Sequence, residues 1–199
     1  MSLNLSSTQY KDLSIASVNK DLGSTVNIFD LPKIEKVSIN IGVGKYENKD
    51  KALIAEYLEK IVCQKPKMIK STKSISNFKL RAGDINGISV TLRGQKAFDF
   101  LILLVYIALP RIRDFKGLKT TAFDVNHAAY SLGIPSASIF PHIGFDAGIN
   151  FGMQCNVVFK TKSENNMLML KALNFPFNKD GSLETKAPKR KPTKKFSKK

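Results

Sequence analysis

The sequence has few of the side chains that carry metal or redox chemistry. Its 199 residues include 2 Cys, 2 His and no Trp. Cys63 and Cys155 lie far apart with no paired-cysteine spacing, and His127 and His142 belong to no metal-binding motif. These absences argue against a disulfide framework and against a metal site. We therefore expect no metal and no cofactor, and the cysteine usage fits a reducing compartment.

Long apolar runs are also missing. The longest, Phe100 to Leu109, has about half of the roughly 20 residues that a membrane-spanning helix needs, so it predicts a buried core helix. Residues 1–20 contain no Arg and no apolar signal core, and no transit peptide is expected from them. These two observations argue against a membrane protein.

Acidic residues are scarce relative to basic ones. The chain has 32 Lys and Arg against 16 Asp and Glu, a formal net charge of +16. Such an excess indicates a polyanionic partner, with nucleic acid ahead of an anionic membrane surface. Residues 60–93 hold eight basic residues and one acid, and 8 of the 14 residues from Lys186 to Lys199 are basic. The first cluster is expected within the fold, and the second in a tail that is disordered alone and orders along RNA.

Hydrophobic periodicity predicts several elements. Val37, Ile39, Ile41 and Val43 alternate with small or polar residues, which predicts a strand whose Asn40 points away from the core. A helix is expected over 51–62, with Asn48 or Asp50 as its cap, and a strand over 67–70. Two strands over 77–81 and 88–93 are predicted to form a hairpin, joined by a turn-rich loop over 82–87.

The remaining elements complete an α+β fold, a mostly antiparallel sheet with helices packed on one face and the other face polar. They are a helix from 95 to 109 ending at Pro110, a strand over 152–160 and a helix over 165–173. We expect an arm or helix over 1–30, a single domain over 31–178 and a basic tail over 179–199.

Two chemical alternatives find little support in the motifs. Gly42-Val-Gly44 follows a strand as a nucleotide-binding loop would, but Glu47 stands where the third glycine belongs, so a tight turn is expected. An enzyme using Asp114 or Asp124 would need clustered carboxylates to hold a catalytic metal, and no usable spacing provides them. No reaction is therefore expected.

Nine collinear blocks between about residues 30 and 178 resemble the large-subunit ribosomal protein family that binds 5S rRNA, the fifth in the usual numbering. The blocks are residues 32–36 (PKIEK), 40–44 (NIGVG), 64–66 (QKP), 73–75 with 78–81 (KSI, FKLR), 90–94 (VTLRG), 109–115 (LPRIRDF), 130–133 (YSLG), 139–141 (IFP) and 175–177 (FPF). The chain departs from that family at Cys63, where glycine is usual, at Ile85, where proline is usual, and at Val125 to Ala129, which replace Gly-Arg-Gly-Asn.

The resemblance implies a sheet that docks on 5S rRNA, together with other large-subunit rRNA, in the central protuberance. It also implies a loop that reaches peptidyl-site tRNA, and a contact with a small-subunit head protein across the subunit interface. The rRNA-binding residues that the resemblance implies by position are Asn40, Gln64, Thr91 and Arg93. Four residues of the basic stretch are expected to join them: Lys65, Lys70, Lys73 and Ser74. The loop expected to contact tRNA comprises Lys79, Leu80, Arg81, Ala82, Gly83, Asp84, Ile85, Asn86 and Gly87.

The alternative is an RNA-binding or RNA-chaperone protein of the same fold that works outside the ribosome. The compartment is inferred from composition: 27 Lys against 5 Arg, with 18 Ile and 14 Asn, resembles AT-rich coding. This favours a mitochondrial ribosome over a plastid or a bacterial cytoplasm.

Overall fold

The computed structural model describes residues 7–22, 31–78, 80–143, 149–161 and 165–178. The predicted basic tail over 179–199 lies outside the described residues, as do residues 1–6 and 23–30 of the predicted arm. The described part of that arm is the helix α1, Ser7–Leu22. The division into arm, domain and tail stays a prediction.

Six strands form one antiparallel sheet, which confirms the predicted α+β class. They are β1 (Ile34–Gly42), β2 (Lys67–Lys70), β3 (Ile85–Leu92), β4 (Phe123–Asp124), β5 (Ala129–Ile134) and β6 (Met153–Phe159). Their order across the sheet is β2-β3-β1-β6-β5-β4. The longest strand, β1, therefore lies near the centre, and β2 and β4 are the edges.

The helices lie over one face of this sheet. After α1 they are α2 (Asn48–Val62), α3 (Gln95–Ile102) and α4 (Asn166–Ala172), and α1 contacts both α3 and α4. Val37, Ile39 and Ile41 of β1 have no exposed surface, and neither do Ile88 and Leu92 of β3. Burial of each such side chain contributes about 1.5–3 kcal/mol to folding, which fixes the strand register and sends the alternate residues outward.

Helix α2 confirms the predicted periodicity, since Ile54, Leu58 and Ile61 are buried. The prediction that Asn48 or Asp50 caps it was wrong, because the N-cap position is Glu47 and its side chain forms no capping hydrogen bond. A turn closes just upstream, where the Tyr46 amide donates to the Val43 carbonyl at 3.1 Å, so the helix begins earlier. Cys63 ends the helix in the left-handed region at φ 53°, and its amide donates to Glu59.

The predicted hairpin between 77–81 and 88–93 was wrong. Residues Ser76–Phe78 form a 3-10 turn, β3 already begins at Ile85, and its hairpin partner is β2. The turn preference of Asn86-Gly87 is overridden because residues 87–92 of β3 pair with residues 37–42 of β1, with Gly87 opposite Gly42. Gly83, at φ 93°, takes up the turn instead.

Strands β4 and β5 were not predicted, although β5 alternates buried Tyr130, Leu132 and Ile134 with exposed Ser131 and Gly133. The glycine and the following proline weaken the strand signal, which pairing with β6 overcomes. The helix predicted to end at Pro110 is made of three consecutive segments. The α-helix α3 continues as a π turn (Leu103–Ala108) and then as a 3-10 turn (Leu109–Arg111).

Candidate nucleic-acid interface

The sheet surface opposite the helices is formed by the outward residues of β1, β3, β5 and β6, and we call it the open face. Strand pairing lines up its side chains in two rows. One row runs Ser89, Asn40, Gln154, Gly133, and the other runs Thr91, Ser38, Asn156, Ser131. Hydroxyl and amide groups, which both donate and accept hydrogen bonds, thus stand side by side across four strands.

The two rows contain no acidic residue, and their polar groups are largely available; Glu35, exposed in β1 beyond the rows, is paired with Lys36 and Arg93. The one side-chain hydrogen bond within the two rows is from Gln154 Nε2 to Asn156 Oδ1, at 3.3 Å. The prediction that Asn40 points away from the core is confirmed, since it is exposed between Ser89 and Gln154. A neutral, hydrogen-bonding surface without carboxylates allows a polyanion to approach closely.

Cations border the open face along the β2 edge, which we define as Lys65, Lys67, Lys70 and Lys73. All four side chains are exposed, and Lys67 lies opposite Ser89, the end of the first polar row. Phosphates of a ligand lying on the open face would meet these ammonium groups. The lysines at the edge would thus position the phosphates, and the polar groups in the middle would form the other hydrogen bonds to the ligand.

Gln64 is anchored at one corner of the open face. The αL residue Cys63 turns the chain out of α2, and Gln64 Nε2 then donates to the Thr91 carbonyl at 3.2 Å. Lys96 Nζ donates to the Cys63 carbonyl at 3.3 Å, which adds a cation at this corner. The structure therefore places the Gln64 side chain against the backbone of Thr91.

Arg93 follows β3 at the same end and is not a free cation. Its Nη1 lies 3.7 Å from Glu35 Oε1, and Lys36 Nζ lies 3.8 Å from the same oxygen. The Arg93 side chain remains 64% exposed. A pair this open to water contributes little to stability, so the guanidinium can turn toward a phosphate at low cost.

Ser74 and Lys73 lie in the loop between β2 and β3, residues 71–84, which we call the tip loop. The Ser74 side-chain oxygen accepts a hydrogen bond from the Ala82 amide at 2.9 Å, so Ser74 is a structural part of this loop. Of the predicted tRNA-contacting residues, Ile85, Asn86 and Gly87 belong to β3, and Lys79 lies outside the described residues. Leu80 to Asp84 remain in the loop.

Phe78 is a residue of the tip loop that the sequence analysis did not select. It lies in the 3-10 turn and is 72% exposed, while Ile75 beside it is 43% exposed. An aromatic residue between Asn77 and Lys79 gives no signal of its exposure, because exposure depends on how the loop folds back. The alternation of apolar and polar residues assigned it to a strand instead.

The two aspartates considered for catalysis do not form a reactive centre. In the β4–β5 turn, Asp124 Oδ2 lies 2.5 Å from His127 Nδ1, and Oδ1 accepts from the Asn126 and His127 amides. The bond to His127 is the main reason that the pKa of Asp124 is lowered. Among the described residues, no three His, Cys, Asp or Glu side chains are grouped to hold a metal, and no helix is long and apolar enough to span a membrane.

The buried titratable groups belong to the core. Burial raises the pKa of the Cys155 thiol to about 12 and that of the Tyr130 hydroxyl to about 12. Tyr130 is in ring contact with Phe175 and Phe177, and its hydroxyl donates to the Lys119 carbonyl. Both groups stay protonated at neutral pH and serve packing.

Comparison with known proteins covers both halves of the chain. One family model, described as ribosomal protein L5, matches residues 27–81, and another, described as the ribosomal L5P family C-terminus, matches residues 85–177. Large ribosomal subunit protein uL5 of Dehalococcoides mccartyi is 42% identical over 161 residues, which is 77% of this chain and 88% of the relative. The uL5 proteins of Mycoplasma capricolum and Synechococcus elongatus are 39% and 38% identical, over 86% and 87% of this chain and 96% and 98% of theirs.

The fold, the polar rows with their basic edge and these matches define a structural, non-enzymatic protein of the large ribosomal subunit. The chain belongs to the uL5 family. The ribosomal resemblance predicted from the nine sequence blocks is confirmed.

Proposed function

We propose that the open face binds 5S rRNA and so ties it, with neighbouring large-subunit rRNA, into the central protuberance. The observation that carries this proposal is the pair of neutral polar rows bordered by the β2 edge, with no acid in the rows. RNA helices present 2′-hydroxyls and base edges in a wide, shallow minor groove. Asn40, Gln64 and Thr91 match that groove as hydrogen-bonding groups, and Lys65, Lys70, Lys73 and Arg93 match the phosphates beside it.

The test is equilibrium binding of the full chain to 5S rRNA, with an unrelated structured RNA of equal length as competitor. Asn40→Ala should weaken 5S binding about fivefold, since one net hydrogen bond contributes about 1 kcal/mol. Thr91→Val keeps the shape and removes the hydroxyl, so a similar loss is expected. Thr121→Val, at an exposed position in the turn before β4, is the matched control and should bind normally.

Equal affinity for both RNAs would reject the 5S assignment and favour the alternative of an RNA-binding or RNA-chaperone protein outside the ribosome. Co-sedimentation separates these two functions independently. A large-subunit protein sediments with the large subunit through a high-salt gradient, whereas a chaperone stays near the top.

The tip loop is proposed to contact tRNA in the peptidyl site. Its support is the exposed cation Arg81 next to Leu80 and Ala82 at the end of the β2–β3 hairpin, away from the two polar rows. Arg81→Ala should lower retention of deacylated tRNA in the peptidyl site without changing 5S content. A contact with a small-subunit head protein is proposed on the family resemblance, and subunits carrying the chain should crosslink to that protein in the assembled ribosome.

The compartment is a further proposal. The 27 Lys against 5 Arg support a mitochondrial ribosome, whereas the bacterial uL5 relatives fit the alternative of a bacterial cytoplasm. Sedimentation of the native chain in purified organelle and cytoplasmic ribosome fractions separates these assignments.

A further inference from the structure

Phe78 is the most exposed large apolar side chain in the described ranges, at 72%, and Leu13 follows at 59%. Water contact of an aromatic ring is unfavourable, and the ring would be better placed in the core or against a partner. Single exposed apolar residues are common in proteins, so exposure alone identifies no site. The structure of the surrounding tip loop supplies the rest.

Backbone hydrogen bonds connect the described residues of the tip loop. At its base, the Ser71 amide donates to Asp84 at 2.8 Å, and the Gly83 amide donates to Ser71 at 2.9 Å. Further out, Ile75 and Leu80 exchange both backbone hydrogen bonds, at 3.0 and 3.1 Å. Phe78 lies in the 3-10 turn between these two residues, with its ring exposed. The hydrogen bonds among the described residues of the loop lower the entropy cost of binding a partner there.

The chemistry around the ring favours an anionic, aromatic ligand. A half-open cleft of about 420 Å³ is lined by Ser74, Ser76, Leu80 and Arg81, the residues that flank Phe78 in the loop. Asp84 is the only acid between residues 60 and 93, and its carboxylate already accepts from the Arg81 amide at 3.1 Å. Arg81 and Lys73 are exposed without a carboxylate salt bridge among the described residues. Aromatic rings beside free cations suit nucleotides, whose bases stack and whose phosphates pair.

We propose that Phe78 is a stacking platform for one unpaired base of RNA, with Arg81 meeting the adjacent phosphate. The inference rests on the proposed function of an RNA-binding ribosomal protein and adds a residue and a recognition mode to it. Peptidyl-site tRNA and an unpaired rRNA nucleotide offer the same chemistry.

The test uses ribosomes assembled with the full chain carrying Phe78→Leu or Phe78→Tyr. Leucine keeps an apolar side chain but lacks a ring face, and tyrosine keeps the ring. One readout is the equilibrium retention of deacylated tRNA in the peptidyl site. The other is dimethyl sulfate reactivity of unpaired rRNA bases in large subunits without tRNA. The 5S rRNA content of wild-type particles is measured alongside.

Roughly tenfold weaker tRNA retention with leucine, and near-normal retention with tyrosine, would support the proposal with tRNA as the source. A newly reactive rRNA base with leucine, protected again with tyrosine, would support it with rRNA as the source. Wild-type behaviour of Phe78→Leu in both readouts, or equal loss with both variants, would overturn it. Loss of 5S rRNA from wild-type particles would instead count against the proposed function.

Discussion

Gly42 is a strand residue whose missing side chain has no explanation within the protein. It pairs with Gly87 on the open face, and a Cβ built at Gly42 meets no atom within 4 Å. Its φ lies outside the left-handed region, so other residues fit the backbone. Glycine inside a strand costs about 0.5–1 kcal/mol relative to alanine. Close approach of a ligand to the backbone is the remaining reason for glycine here.

The Gly42→Ala variant should therefore change stability and RNA binding in opposite directions. We expect the free energy of unfolding to rise by about 0.5 kcal/mol, because the unfolded chain loses entropy. Binding to 5S rRNA should weaken at least about fivefold, since an extra methyl in a tight contact costs about 1–3 kcal/mol. Urea unfolding and RNA titration measure the two quantities. Unchanged affinity would show that RNA does not approach the sheet at this point.

At the same scale, the sequence predicts side-chain direction well where burial alternates strictly. Asn40 and Thr91 follow from the apolar residues on either side of them, which are buried in β1 and β3. The exposure of Phe78 is not predicted, because it depends on the hydrogen bonds between Ile75 and Leu80, which no local sequence pattern indicates.

Among the elements, prediction succeeded for β1, α2 and β6, whose apolar period is uninterrupted, and also for β2, whose four residues are all exposed. It failed for the β2–β3 connection because Asn86-Gly87 has the composition of a turn. Pairing of β3 with residues 37–42 of β1 and with β2 makes it part of a strand. Long-range pairing of this kind contributes more than local turn preference, and a single sequence does not display it.

The β4–β5 turn is the element in which an ionisable group should affect stability. The pKa of Asp124 is lowered from its ordinary value of 3.8, chiefly by the hydrogen bond to His127. A carboxyl group whose pKa is lower in the folded state than in the unfolded state stabilises the folded state when the pH is above 3.8. That contribution is lost as the pH falls from 3.8 through the lower folded pKa.

Asp124→Asn should thus lower the melting temperature slightly at pH 7, and the difference from wild type should shrink to near zero below the folded pKa. Thermal unfolding monitored by circular dichroism from pH 7 to pH 2 measures this. His127→Ala is the companion variant and should remove most of the pH-dependent difference. A difference that stays constant down to pH 2 would contradict the assigned pair.

For the whole molecule, charge is distributed unevenly along the chain. Residues 186–199 contain eight of the 32 basic residues and no acid. Deletion of residues 186–199 should leave the unfolding temperature of the domain unchanged and weaken binding to large-subunit rRNA, most clearly at low salt. Calorimetry and filter binding give the two numbers. Full rRNA affinity of the truncated chain would rule out a binding role for the tail.

The ionic strength dependence of 5S binding tests the division between cationic edge and neutral face. Each phosphate contact adds about 0.7–0.9 to the slope of log affinity against log salt concentration. Lys70→Ala and Lys73→Ala should each lower the slope by about that amount, whereas Asn40→Ala should lower affinity at every salt concentration and leave the slope unchanged. Arg93→Ala should change it less, because Arg93 already shares Glu35 with Lys36.

Lys49→Ala, an exposed lysine at the start of α2 and therefore in the helical layer, is the matched control for charge alone. If it lowered the slope as much as Lys70→Ala does, net charge rather than position would govern binding. The contact surface would then not be the sheet. If Asn40→Ala altered the slope, its amide would not act as a neutral hydrogen-bonding group beside the phosphates. The expected result is a slope that falls only for the lysine variants of the β2 edge, with an affinity that falls for those variants and for Asn40→Ala. This result requires RNA to lie across the open face with its backbone toward β2.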